Sequence, residues 1–139
     1  MRETSTRDSI CKRLPPTIHQ QATTGLLYNN GTPDRYLDGP KSDLWIEFKQ
    51  FDTLPRDGTA SVAPVPGKKQ QPKGHLTELQ RRWLQRRDRH GKNAWVIAGL
   101  PDRRVLVLRH SSLWVAPVHV QKYVFSIVQA ADLIEAFCL

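Results

Sequence analysis

Apolar and polar positions alternate most strictly in "DLWIEFKQF", residues 43 to 51, where Leu44, Ile46 and Phe48 recur at every second position and Glu47 and Lys49 fall between and after them. A period of two places alternate side chains on opposite faces of a strand. This stretch therefore predicts a strand with one core face, and a second face bearing an acid and a base two residues apart. The preceding "PDRYLD" and the turn "GPKS" predict a hairpin, because Asp38, Gly39 and Pro40 supply turn chemistry. In such a hairpin Asp34 on the incoming strand comes close to Glu47 on the outgoing one.

The same reading along the rest of the chain predicts a mixed order of elements. Residues 3 to 14 allow a short helix with Ile10 and Leu14 on one face, ended by Pro15 and Pro16. Residues 17 to 30, with Gly25 in the middle, predict a first strand or a bent strand pair leading to Gly31. Residues 52 to 75 hold four prolines and three glycines with almost no apolar periodicity, which predicts a long loop, either functional or a solvated flexible insertion. A helix is predicted over 78 to 90, with Thr77 as N-cap, Gln80 completing a capping box and Gly91 ending it. Leu79, Trp83 and Leu84 form its narrow apolar stripe, and Arg81, Arg82, Arg86, Arg87 and Arg89 cover much of the rest. "NAWVIAGL" and "RRVLVLRH" predict two buried strands joined at "LPDR", "LWVAPV" a further short strand, and Ile127, Ala131, Ile134 and Phe137 a last helix. The sum is an α/β fold, a central mixed β-sheet flanked by helices, in a single domain over residues 1 to 139.

Composition narrows the class. A chain of 139 residues with 39% apolar and 24% charged residues supports one globular core. It has no run of eighteen apolar residues, so no membrane association is expected. The first sixteen residues lack the apolar segment of a secretory signal, and an intracellular, cytoplasmic setting is expected. Cys11 and Cys138 lie near opposite ends without metal-ligand spacing, which favours buried thiols over a disulfide framework. The five histidines are dispersed, and zinc is not expected. A formal charge of +8 favours polyanionic partners, nucleic acid first among them. Lys68, Lys69 and Lys73 in the loop, Arg81 and Arg82 on the helix, and Arg35 in the hairpin are candidate DNA contacts. Tyr28, Tyr36 and Trp45 are candidates for stacking on bases, while Trp83, Trp95 and Trp114 fit a core or a subunit contact.

Phosphodiester hydrolysis needs a divalent cation held in place, an oriented water and neutralisation of charge on the phosphate. Asp34 and Glu47 suit the first need, since carboxylate oxygens are preferred by Mg²⁺ and Mn²⁺ and Mg²⁺ commonly takes only one or two of them. The carbonyl of Phe48 is a third candidate oxygen. Lys49, on the face of Glu47, is placed to lower the pKa of the attacking water or to stabilise the transition state. The bland alternative is a hairpin salt-bridge network of Asp34 and Glu47 with Arg35, Lys41 and Lys49.

Pro33 and Asp34, followed thirteen residues on by Glu47, any residue and Lys49, resemble the PD-(D/E)XK nuclease superfamily. The wider pattern, from Gly31 through "WIEFKQ" to "LTELQRRWL" and "HGKNAWVIAG", is similar to its VRR-NUC branch, virus-type replication and repair nucleases that occur alone in phages and as domains of larger repair enzymes. The resemblance covers roughly residues 1 to 110. It implies a restriction-endonuclease-like core, metal ligation by Asp34 and Glu47, and Lys49 as catalytic base or phosphate-stabilising residue. It also implies Gln80 near the active site, where the capping box alone is the competing account, and an acid from the first helix, Glu3 or else Asp8. The expected activity is a Mg²⁺-dependent DNA endonuclease, selective for branched DNA such as Holliday junctions and able to act as a homodimer. The alternatives are a non-catalytic basic nucleic-acid-binding protein and a sequence-specific restriction-type nuclease.

Overall fold

The computed structural model describes residues 3 to 23 and 31 to 139, without the side chains of Glu3 and Thr4. In chain order the elements are α1 (Glu3–Cys11), β1 (His19–Ala22), β2 (Arg35–Asp38), β3 (Asp43–Gln50), β4 (Thr59–Ala60), α2 (Glu78–Gly91), β5 (Ala94–Gly99) and β6 (Val105–Leu108). A 3₁₀ turn (Ser111–Trp114), β7 (Val118–His119), α3 (Val120–Tyr123), β8 (Val124–Phe125) and α4 (Ile127–Cys138) complete it. Six strands form one sheet in the order β1-β2-β3-β5-β6-β8, with β3 and β5 parallel and the other neighbours antiparallel. The parallel pair follows from the connection: α2 lies between β3 and β5 in the chain, and a helical crossover returns the chain in the same direction. The fold is α/β, a central mixed sheet flanked by helices.

Alternation along the central strands divides the core. Leu44, Ile46 and Phe48 of β3, Trp95 and Ile97 of β5, and Val105 and Val107 of β6 pack with Ile10, Leu14 and Ile134 of the α1/α4 side. Val96, Ala98, Leu106 and Leu108 face the other way, onto Leu84 of α2 and onto Val62, Leu76 and Trp114. Every residue of β5 is buried, as expected for a strand covered on both faces. Burying side chains of this size stabilises by about 1.5–3 kcal/mol each, so the sheet centre is the rigid platform for whatever β3 presents.

The hairpin forms at residues 39 to 42, and its register pairs Asp38 with Asp43 and Arg35 with Ile46. That turn also closes the last turn of α4: the Lys41 and Ser42 amides donate to the Cys138 carbonyl at 2.8 and 3.3 Å, and Lys41 Nζ to that of Ala136 at 3.0 Å. Gly39 is needed there, because a Cβ would stand 2.5 Å from the Cys138 carbonyl oxygen.

Several expectations are refined or corrected. The segment between β3 and α2 is the expected long loop apart from the two-residue β4, and it is held by specific contacts. β4 pairs with β7, Leu76 N donates to Val62 O at 2.8 Å, His75 Nδ1 donates to Ala63 O at 2.6 Å, and Gln71 bonds the backbone of Val65 and Lys68. The short strand expected over 113 to 118 forms only at its end, Val118 in β7; residues 111 to 114 coil into the 3₁₀ turn, where Trp114 Nε1 donates to Leu108 O at 3.0 Å while its ring is fully buried. The helix α1 stops at Cys11, short of Leu14, although Leu14 is buried as expected. Gly91 is the last helical residue, and Lys92 takes the left-handed cap with φ 52°. Gly91 instead allows a close approach, since a Cβ there would stand 2.6 Å from Asn93 Oδ1. Among the described residues no helix is long and apolar enough to cross a membrane.

Candidate active site

The register that pairs Arg35 with Ile46 puts Asp34, the next residue outward, opposite Glu47. β2 begins only at Arg35, whereas β3 stays paired with β5 as far as Gln50. Beyond Ile46, therefore, the β2-side edge of β3 faces the carboxylate of Asp34 instead of a strand. Asp34 Oδ2 accepts the Phe48 amide at 3.0 Å, taking the place of a ladder acceptor. Within a strand the N–H and C=O of one residue point to the same side, so the Phe48 carbonyl projects from this same edge, next to Asp34.

Glu47 is 1% exposed, on the α2 face of β3, and Lys49 is half-buried two positions further along that face. Glu47 Oε2 accepts from Gln80 Nε2 at 3.2 Å. The same Gln80 side chain closes the capping box, its Oε1 accepting the Thr77 amide at 2.9 Å while Thr77 Oγ1 accepts the Gln80 amide at 3.1 Å. The cap and the site contact are thus one arrangement: with the amide oxygen committed to Thr77, the NH₂ group is aimed at Glu47. Gly31 explains why a glycine precedes the Pro-Asp pair. It has φ +84° and packs on the first turn of α2, where a Cβ would lie 2.3 Å from Leu79 O and 2.7 Å from Gln80 N.

The expected cations do not all converge. Arg35 shares the face of Ile46, the α1 side, and its guanidinium donates to the Asp34 carbonyl at 3.3 Å, so it stands across the sheet from Glu47. Lys41 is engaged with α4, away from the carboxylates, which removes it from the salt-bridge network considered above. Lys73 pairs with Asp52 at 3.5 Å. Arg81 is tied to Glu78 and donates to Gln85 Oε1 at 2.6 Å, and this contact holds the Glu78 carboxyl below its usual range. Arg82 reaches Glu78 at 3.5 Å with its side chain 69% exposed. Lys68 and Lys69 are exposed and line, with Gly31 and the first turn of α2, a cleft of about 420 Å³. Asp8 faces solvent beside Arg7, at 3.3 Å, which leaves it off the sheet-facing side of α1. The side chain of Glu3, and Tyr28, lie outside the described residues.

Trp95 and Trp114 are core, as expected. Trp45 is not a free stacking platform: its ring lies 4.4 Å from Tyr36 and 4.9 Å from Trp83, centroid to centroid. Leu79, expected in the apolar stripe of α2, is 54% exposed; the inward stripe is Gln80, Trp83, Leu84 and Arg87. The far end of that stripe meets a second polar cluster that the pattern of residues did not predict. Asp43 accepts from Tyr36 Oη at 2.8 Å and from Asn93 Nδ2, while Arg87 Nε donates to Asn93 Oδ1 at 3.1 Å and its guanidinium lies 3.7 Å from Asp43. Burial, and then the bond to Asp43, push the Tyr36 hydroxyl up to about 12. The signal was the i, i+7 spacing of Gln80 and Arg87, two turns apart on the inner face, against Glu47 and Asp43 four apart on β3.

Among the described residues no group of three or more His, Cys, Asp or Glu side chains gathers as a metal site. Two carboxylates with a main-chain carbonyl are an all-oxygen set that suits a hard cation keeping much of its own water, and that is the donor set at Asp34, Glu47 and Phe48. No family model, no curated protein and no solved structure matches this chain.

Proposed function

We propose that this protein is a metal-dependent DNA endonuclease. The observation that carries the proposal is the placement of Asp34 and Glu47 side by side where β2 leaves β3, each oriented by its own hydrogen bond, with Lys49 next along the same face. Mg²⁺, with Mn²⁺ able to substitute, would be held by Asp34, Glu47 and the Phe48 carbonyl, and would supply an activated water and neutralisation of phosphate charge. The protein's own part is positional and electrostatic. The Phe48 amide and Gln80 fix the two carboxylates before substrate arrives, so little ordering is left to the moment of reaction. Lys49 carries an ammonium with three donors to the phosphate oxygens, whose charge grows as water oxygen bonds to phosphorus and the P–O ester bond breaks. The net charge of +8 draws a polyanion to the surface. Branched DNA is the substrate class implied by the resemblance, and a homodimer would set two such sites across a junction.

The test is cleavage of labelled four-way junction, flap, nicked duplex, linear duplex and single-stranded DNA with Mg²⁺, with Mn²⁺ and with chelator, beside Asp34→Asn and Lys49→Ala. Metal-dependent cutting lost in both variants, with DNA affinity nearly unchanged, supports the proposal. Cutting of linear duplex into discrete fragments would replace shape selectivity by sequence specificity. No cleavage above the Asp34→Asn background on any substrate would leave a non-catalytic DNA-binding protein.

A further inference from the structure

Three arginines of α2 stand on one outward line. Arg82, Arg86 and Arg89 recur at i, i+4 and i+7, within a narrow arc of the helix and over about 10 Å of its axis. All three are exposed, and among the described residues Arg86 and Arg89 enter no ion pair. With Leu79 they line a cleft of about 470 Å³. Leu79 also lines the cleft of Lys68 and Lys69, so the two depressions adjoin at the first turn of α2. Beneath that turn lies the Gln80–Glu47 contact. A cationic track of five side chains thus passes the candidate site.

The geometry points to this track, Lys68, Lys69, Arg82, Arg86 and Arg89, as the surface that docks the phosphate backbone of a duplex DNA arm. The assignment rests on the nuclease reading for its biological sense, but not for its physics. Guanidinium forks match phosphate oxygens. Single strands are held instead on aromatic platforms, and the nearest ring, Trp83, is half-buried and set edge-on against Trp45. Arg81 is excluded because it is held between Glu78 and Gln85, and Arg35 because it faces the α1 side of the sheet.

The test is the salt dependence of binding to a labelled 30-base-pair duplex, with chelator present so that no cleavage occurs. The triple variant Arg82→Gln, Arg86→Gln, Arg89→Gln is compared with Lys12→Gln, Arg13→Gln, Lys122→Gln, which removes three exposed cations elsewhere and lowers the formal charge equally, from +8 to about +5. Each lost phosphate contact flattens the plot of log K against log salt by about 0.9. The α2 variant is expected to flatten it by about 2 to 3 and the control by less than about 1. Equal slopes in the two variants, or a change seen only with single-stranded DNA, would overturn the assignment. Cleavage of metal-supplemented wild type is scored separately: a flattened slope without any cleavage leaves the docking surface standing and removes the nuclease, and the converse result does the opposite.

Discussion

Replacing Gln80 by Glu separates the cap from the site. Glutamate serves a capping box as well as glutamine does and suits the positive end of a helix, so for a pure cap the change is neutral or slightly favourable. In the structure, however, Nε2 of Gln80 lies 3.2 Å from a carboxylate oxygen of Glu47, and Glu47 is 1% exposed. Two ionised carboxylates at that separation repel by about 5 kcal/mol at an effective dielectric near 20. Holding one proton on the pair at pH 7 costs less, about 1.4 kcal/mol for each pH unit above a model carboxyl pKa near 4.3, or about 4 kcal/mol. The pair therefore keeps a proton in the folded state, with its folded pKa raised. A raised folded pKa gives stability that is complete below the unfolded pKa and falls as pH rises. Gln80→Glu should thus cost about 4 kcal/mol at pH 7 and only about 1 kcal/mol at pH 5. Urea titrations followed by tryptophan fluorescence at pH 5, 6, 7 and 8 read both numbers. A cost below about 1 kcal/mol at pH 7 that does not change with pH would mean that Gln80 caps α2 and does not touch Glu47.

Three further outcomes follow from contacts described above. Gly31→Ala puts a Cβ against the main chain of Leu79 and Gln80 at positive φ, where nothing can give way, and should lower stability by about 3 kcal/mol or more, read as a shifted urea midpoint. Asp34→Asn keeps an oxygen acceptor for the Phe48 amide, so its midpoint should stay within about 1 kcal/mol of wild type while metal-dependent cleavage is lost. Burial raises both the Cys11 and the Cys138 thiols from 9.0 to about 11. Their stabilisation is complete below pH 9 and disappears as pH rises to 11, a loss of about 3 kcal/mol each, which a Cys11→Ala, Cys138→Ala double variant should not show when denatured at pH 8.5, 10 and 11.

Alternation at 44, 46 and 48 and the turn at 38 to 40 suffice to bring Asp34 against Glu47, because a hairpin's register follows from its turn. The same register places Arg35 on the core side, a consequence available from the sequence that charge alone obscures. The capping box was legible because its partners are three residues apart. What Gln80 does with its other end was legible only through the resemblance, since Glu47 is 33 residues away. The role of Gly31 was hidden for the same reason: its constraint is the α2 backbone, 48 residues later. Helical spacing puts Leu79 beside the apolar stripe, but the inward arc is centred on Gln80, Trp83, Leu84 and Arg87 and leaves Leu79 outside it. Proline and glycine content hid the order between β3 and α2, where buried Val62 and Leu76 are too far apart to form a periodic signal.

That intervening segment makes the candidate site dependent on a part of the chain remote from its chemistry. Gln80 can hold Glu47 only if α2 begins at Thr77, and nothing in the helix itself fixes where it begins relative to β3. The segment is pinned at one side by β4 on β7 and by Val62, and at the other by Leu76, whose amide bonds the Val62 carbonyl. Leu76 immediately precedes the N-cap. The chain between these two pins carries Lys68 and Lys69 outward, while the pins themselves sit in the core with Leu84 and Trp114. Rigidity at Val62 and Leu76, with exposure between them, allows one segment both to set the helix start that orients Glu47 and to present cations beside it. Lengthening the exposed part costs only about 0.6 kcal/mol per doubling, so the lysine lobe is free to vary in length without moving Thr77.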